Sequence, residues 1–115
     1  MSGDRMRRVD EAMREVLSDA ITSELKDPRV GFVTVTAVDT SPDLRHARVF
    51  VSVLGAEPVR RRSMDGLRSA HGFLQKRVAG ELRLKHTPTL EFLYDDTSER
   101  GFRIAQLIDE EAGES

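Results

Sequence analysis

The chain alternates between stretches with an apolar residue every three or four positions and stretches with one at every second position. From Asp4 to Leu25, the residues Met6, Val9, Met13, Val16, Leu17, Ala20 and Ile21 recur at helical spacing and form one stripe. Arg5, Arg7, Arg8 and Arg14 fall off that stripe. Proline disfavours the α conformation in the residue before it, so Asp27-Pro28 predicts the end of this helix.

After Gly31 the period changes. Phe32 to Val38 is dense in β-branched residues and reads as a strand, and Asp39 to Asp43 is turn chemistry throughout. A second strand runs from His46 to Val53, with Ala47, Val49, Val51 and Val53 on one face and His46, Arg48, Phe50 and Ser52 on the other. The short connection predicts an antiparallel hairpin, closed by Gly55.

Helical spacing then returns. Pro58 suits a first helical turn, and Val59, Met64, Leu67, Ala70, Leu74, Val78, Ala79 and Leu82 continue one stripe. Periodicity alone accepts a single helix of about 25 residues, longer than most globular helices. Gly72 is the one nearby cue to a break, and Gly80 shows that glycine does not locate it. Lys85, His86 and Pro88 predict the helix end, and Thr89 to Tyr94 predicts a third strand. Asp95 to Ser98 reads as a turn. Ser98 would cap a short last helix with Phe102, Ala105, Leu107 and Ile108 on its apolar face.

This order predicts an α+β fold with a small mixed three-stranded sheet and helices on one face. Val33, Val35, Val49, Val51, Leu67 and Leu74 are its expected shared core. With 115 residues the chain fits one domain, residues 1–108, followed by an acidic, frayed tail at 109–115.

Composition narrows the function. No apolar run approaches the ~20 residues that span a bilayer, and Met1 to Arg8 lacks the apolar segment of a signal peptide behind it. Without cysteine, disulfides and thiolate metal sites are excluded, which fits the cytosol. His46, His71 and His86 are scattered, no HExxH, P-loop or GxGxxG spacing occurs, and Asp95-Asp96 reads as turn chemistry before it reads as a metal site. Neither a catalytic constellation nor a metal or cofactor is expected.

The formal net charge of −2 hides a segregation. From Pro58 to His86, eight cationic residues face Asp65 and Glu81, a net of +6. From Glu91 to Ser115, eight acids face Arg100 and Arg103, a net of −6. A local basic field of this kind attracts phosphate. The candidate RNA contacts are therefore Arg60, Arg61, Arg62, Arg68, Lys76, Arg77, Arg83 and Lys85, with Arg5, Arg7 and Arg8 as a flexible clamp. Ala70-His71-Gly72 joins them if a new helix begins there, because helix N-terminal amides bind anions and a missing Cβ admits a phosphodiester backbone. On sequence pattern alone, the competing reading is a core helix with one tolerated glycine. Replacing Gly72 by alanine is expected to straighten or strain such a junction.

Two stretches reverse that order. Glu24-Leu25-Lys26-Asp27-Pro28-Arg29-Val30-Gly31-Phe32-Val33-Thr34-Val35-Thr36 and Ser41-Pro42-Asp43-Leu44-Arg45-His46-Ala47-Arg48-Val49 resemble the ribosome-binding factor A family. Gly72-Phe73-Leu74, Thr87 to Phe92 and Asp95 to Ser98 match in the same order, so the resemblance covers about residues 4 to 108. It implies a type II KH-like fold in which an interrupted Ala-x-Gly helix, here Ala70 and Gly72, replaces the GxxG loop. It also implies a non-enzymatic, cytoplasmic, monomeric assembly factor. Such a factor binds free 30S subunits and 16S rRNA in late maturation, including processing of the rRNA 5′ end, and supports growth after cold shock. Ribosomal proteins and a GTPase assembly factor are the further partners implied. An extended basic C-terminal tail found in some members is replaced here by Asp109-Glu110-Glu111. The alternative reading is an adaptor that docks on a ribosomal protein or assembly factor through this acidic region.

Overall fold

The computed structural model describes residues 2–97. The expected last helix, with Ser98, Phe102, Ala105, Leu107 and Ile108, and the acidic tail lie outside the described residues.

The first apolar stripe forms α1, Ser2–Asp19, and continues as a π-helical turn, Ala20–Glu24. Met13, Leu17, Ala20 and Ile21 are buried, while Met6, Val9 and Val16 are half-buried along the margin. The hairpin consists of β1, Val33–Thr40, and β2, His46–Val53. Glu57–Ser69 forms α2, His71–Glu81 forms α3 and Thr89–Tyr94 forms β3. The strand order is β1-β2-β3, with β1 antiparallel and β3 parallel to the central β2. This is the mixed α+β sheet that the pattern predicts.

The inner face of β2 is as expected, with Ala47, Val49, Val51 and Val53 all buried. They meet Val35, Val38, Leu90 and Phe92 from the flanking strands and Met13, Leu17, Leu67, Leu74 and Val78 from the helices. Val33, expected in the core, is only half-buried because it begins the strand at the sheet margin.

Parts of this plan differ from expectation, each for a physical reason. β1 runs on through Asp39 and Thr40, which pair with Arg48 and Ala47 of β2. The Thr40 N–H is tied to Asp10 Oδ1 on α1 at 3.0 Å, and Asp39 is ion-paired to Arg48 at 2.5 Å, so both positions hold strand geometry. Inside β1 the register shifts between Val35 and Ala37. This β-bulge at Thr36 reverses the faces, so Ala37 is exposed while Val38 and Thr40 are buried. The long apolar stripe is cut at Ala70 into two helices, the interruption that the family resemblance implies. The second of these stops at Glu81, because Leu82 adopts extended geometry, and Arg83, Lys85 and His86 therefore lie on the link to β3.

Candidate nucleic-acid interface

The junction of α2 and α3 is a one-residue break. The Ala70 N–H still donates to Gly66 and Leu67 carbonyls at 3.0 and 3.1 Å, and its own carbonyl accepts the Leu74 N–H at 3.0 Å, opening the next helix. Ala70 sits at φ −86°, ψ 8°, outside the helical region. Alanine is the strongest helix former, so no local propensity explains the break. Tertiary contacts hold the two helices to different parts of the molecule. On one side α2 is held to the Arg29–Gly31 segment, with buried Ser63 Oγ accepting the Gly31 N–H at 3.1 Å and donating to Arg29 O at 3.3 Å. On the other, Arg77 of α3 reaches Glu24, Glu81 and Asp19 carboxylates at 2.8, 3.0 and 3.6 Å, fastening α3 to the end of α1.

Gly72 lies in the first turn of α3, exposed and without a positive φ, and a Cβ there would meet nothing within 4 Å. The expectation that alanine would straighten or strain the junction is therefore corrected: the break belongs to Ala70, and Gly72 is open surface. Phe73 beside it is 41% exposed. Ala70 and His71 are half-buried. Arg68 donates from Nη2 to the Phe92 carbonyl of β3 at 3.2 Å, and with His71 it walls a cavity of ≈260 Å³ along Leu90–Leu93. The junction thus brings together Arg68, Ala70, His71 and Gly72 beside a strand at the sheet edge.

The other candidates separate into distinct settings. Arg60 is half-buried over the Tyr94 ring, 4.9 Å from its centroid, with Nη1 donating to the phenolic oxygen at 3.1 Å. Arg61 is paired with Glu57 at 2.9 Å across one helical turn. Arg62 and Lys76 are exposed. Arg77, only 26% exposed, is surrounded by carboxylates. The hydrogen bond to Glu81 is the first cause raising its pKa above the usual guanidinium value, with Glu24 adding to it. Arg5, Arg7 and Arg8 are exposed within the helical turns of α1, which begins at Ser2, so they do not form a flexible arm. Arg83 and Lys85 are exposed beyond α3, and Arg83 faces Arg8 across a second groove. Sequence reasoning missed Tyr94, Ser63 and the Leu90–Leu93 edge. The strand at Thr89–Tyr94 was visible in the pattern, but its place beside Arg60 and Arg68 follows from the parallel pairing with β2.

Among the described residues no group of three or more His, Asp or Glu could hold a metal ion, and no helix is long and apolar enough to cross a membrane. The family model described as Ribosome-binding factor A matches residues 5–108. The chain belongs to the ribosome-binding factor A family. Two family members make the relationship concrete. The one from Halothermothrix orenii is 45% identical over 108 residues, covering 94% of this chain and 88% of its own. That from Halorhodospira halophila is 48% identical over 109 residues, covering 94% and 86%. Among solved structures, the crystal structure of ribosome-binding factor A from Thermus thermophilus is similar with TM-score 0.69 and 28% identity, over 77% of this chain and 94% of that one. The Thermotoga maritima solution structure of a putative ribosome binding factor A gives TM-score 0.71 and 34% identity, over 77% and 85%. A Thermus thermophilus homology model fitted into the cryo-EM map of a 30S-RbfA complex gives 0.63 and 30%, over 75% and 90%. The expected family and element order are both found, and the helix interruption falls at the Ala70-His71-Gly72 element.

Proposed function

We propose that this chain is a non-enzymatic assembly factor that binds the 30S subunit and its 16S rRNA in the cytoplasm during late maturation. In this reading it acts as a monomer, promotes processing of the rRNA 5′ end, supports growth after cold shock and is released with the help of a GTPase. The observation that carries the reading is family membership, joined to the likeness to the chain fitted in the map of a 30S complex. The interrupted helix supports it chemically. Gly72 is open to close approach, Arg68 and His71 stand beside it, and exposed Arg62 and Lys76 supply cationic charge on α2 and α3. Phosphate contacts of this kind need no catalytic group, and they make affinity fall with salt.

The test is co-sedimentation with isolated 30S subunits across a salt series, comparing wild type with Arg62→Gln/Lys76→Gln. The expected result is salt-dependent binding that the double variant weakens. Primer extension on 16S rRNA from cells lacking the protein, grown cold, should show unprocessed 5′ ends. Absence of co-sedimentation at low salt would refute the subunit-binding reading, and mature 5′ ends in those cells would remove the processing role.

A further inference from the structure

A second concave site lies away from the α2–α3 junction. Arg8, Val9 and Ala12 of α1 form one side, and Glu81 at the end of α3 with the extended residues Leu82–Leu84 forms the other, bounding a shallow, open groove of ≈420 Å³. Val9, Leu82 and Leu84 pack from its floor against the core. Arg8 and Arg83 stand exposed at the rim, and neither guanidinium has an ion-pair partner among the described residues. The one acid at the rim, Glu81, is already bound by Arg77 at 3.0 Å. The field over an apolar slot is therefore cationic.

This chemistry, a greasy floor between two guanidinium forks, suits a flat apolar-faced group flanked by negative charges. An unpaired nucleotide has that form: its base prefers an apolar or stacked setting, and its two phosphates take arginine forks. The volume lies within the ~300–1,000 Å³ range of small-ligand sites. The path between the two sites is also open. Gly72, Lys76 and Gly80 follow at steps of four along the exposed side of α3, and a Cβ at either glycine would meet nothing within 4 Å. At about 1.5 Å per residue, this 11-residue helix spans about 16 Å, a short stretch of single strand.

We propose that the groove between α1 and the Glu81–Leu84 segment receives one unpaired base of a bound RNA strand, with Arg8 and Arg83 on its flanking phosphates. The inference rests on the RNA-binding reading above and adds a second, base-inserting contact to it.

The experiment uses the full chain and 30S subunits whose 16S rRNA carries 4-thiouridine. Photocrosslinked peptides are identified by mass spectrometry, and wild type is compared with Ala12→Phe, which fills the slot without changing charge. The expected result is rRNA crosslinked to peptides containing Val9–Ala12 or Leu82–Leu84, with about tenfold weaker subunit binding by Ala12→Phe. If that variant misfolds, Arg8→Gln/Arg83→Gln is the second test. Loss of two phosphate contacts should make its log–log salt dependence shallower by about 1.4. Subunit binding by wild type with rRNA crosslinks only elsewhere, or with both variants binding as wild type does, would overturn the groove alone. Crosslinks from the groove to a ribosomal protein instead would also overturn it, in favour of a peptide occupant. If wild type fails to bind subunits at all, the functional reading falls first and takes the groove with it.

Discussion

The Ser63 hydroxyl, fully buried in α2, accepts the Gly31 N–H at 3.1 Å and donates to the Arg29 carbonyl at 3.3 Å. One side chain thereby satisfies a donor and an acceptor of the segment leading into β1. Ser63→Ala leaves both groups without that partner, and because Arg29 and Gly31 are exposed enough to be rehydrated, the loss is the net worth of an ordinary hydrogen bond, about 0.5–1.5 kcal/mol. Urea unfolding of the variant should show a loss in that range with an unchanged m-value.

Gly66 and Gly72 stand six positions apart and should respond to alanine in opposite directions. A Cβ on Gly66 would lie 2.6 Å from Val30 Cγ2, so the half-buried Val30 side chain, stiff at χ1, would have to give way. Gly66→Ala should destabilise by about 1–3 kcal/mol, as overpacking does. Gly72→Ala meets open space and should be neutral, or stabilising by up to ~1 kcal/mol through helix propensity. Any loss of subunit binding by Gly72→Ala then reads contact with the partner and not damage to the fold. Gly80→Ala, equally open, should also leave the fold intact, so any change in its subunit binding reports the far end of the strand's path along α3.

Arg77 belongs to the scaffold in this structure. Arg77→Gln would leave Asp19, Glu24 and Glu81 without their shared cation, and should lower stability modestly, because these pairs are exposed to solvent. The slope of subunit affinity against salt should stay where it was. A shallower slope would return Arg77 to the phosphate contacts.

Acidification offers a separate check. The Arg29 side chain first, and then its backbone N–H, hold the Asp27 carboxyl below its ordinary value. A lowered folded-state pKa means the contribution is present at neutral pH and lost as pH falls through that pKa. The stability difference between wild type and Asp27→Asn should be constant near neutrality and shrink below about pH 4. A difference that grew on acidification would contradict the assignment.

Much of the fold was legible because local pattern and tertiary demand agree. His46–Val53 and Thr89–Tyr94 appear with the bounds their alternation predicts. Where one residue answers to a distant contact, pattern failed. Thr36 bulges with its hydroxyl donating to Asp95 Oδ2 at 2.6 Å, a residue 59 positions away. Ala70 breaks a helix its own propensity favours, and Leu82 leaves one while its apolar stripe continues. The basic segment was legible as charge, but not as function. Its arginines are divided by their partners, Tyr94 for Arg60, Glu57 for Arg61 and carboxylates for Arg77, none of which their spacing reveals.

The bond from the Thr40 N–H to Asp10 bears on how the molecule behaves in a crowded solution. An outer strand with unsatisfied amides recruits other strands, and natural sheets blunt such margins with charge or cover. Here a carboxylate from α1 caps one amide of β1 at 3.0 Å, and the Thr36 bulge twists the strand away from a flat template. Asp10→Ala would uncap that amide, so the variant should show concentration-dependent self-association in light scattering where wild type does not. For a protein whose sheet is closed on one side by a helix, a single aspartate helps to keep each copy to itself.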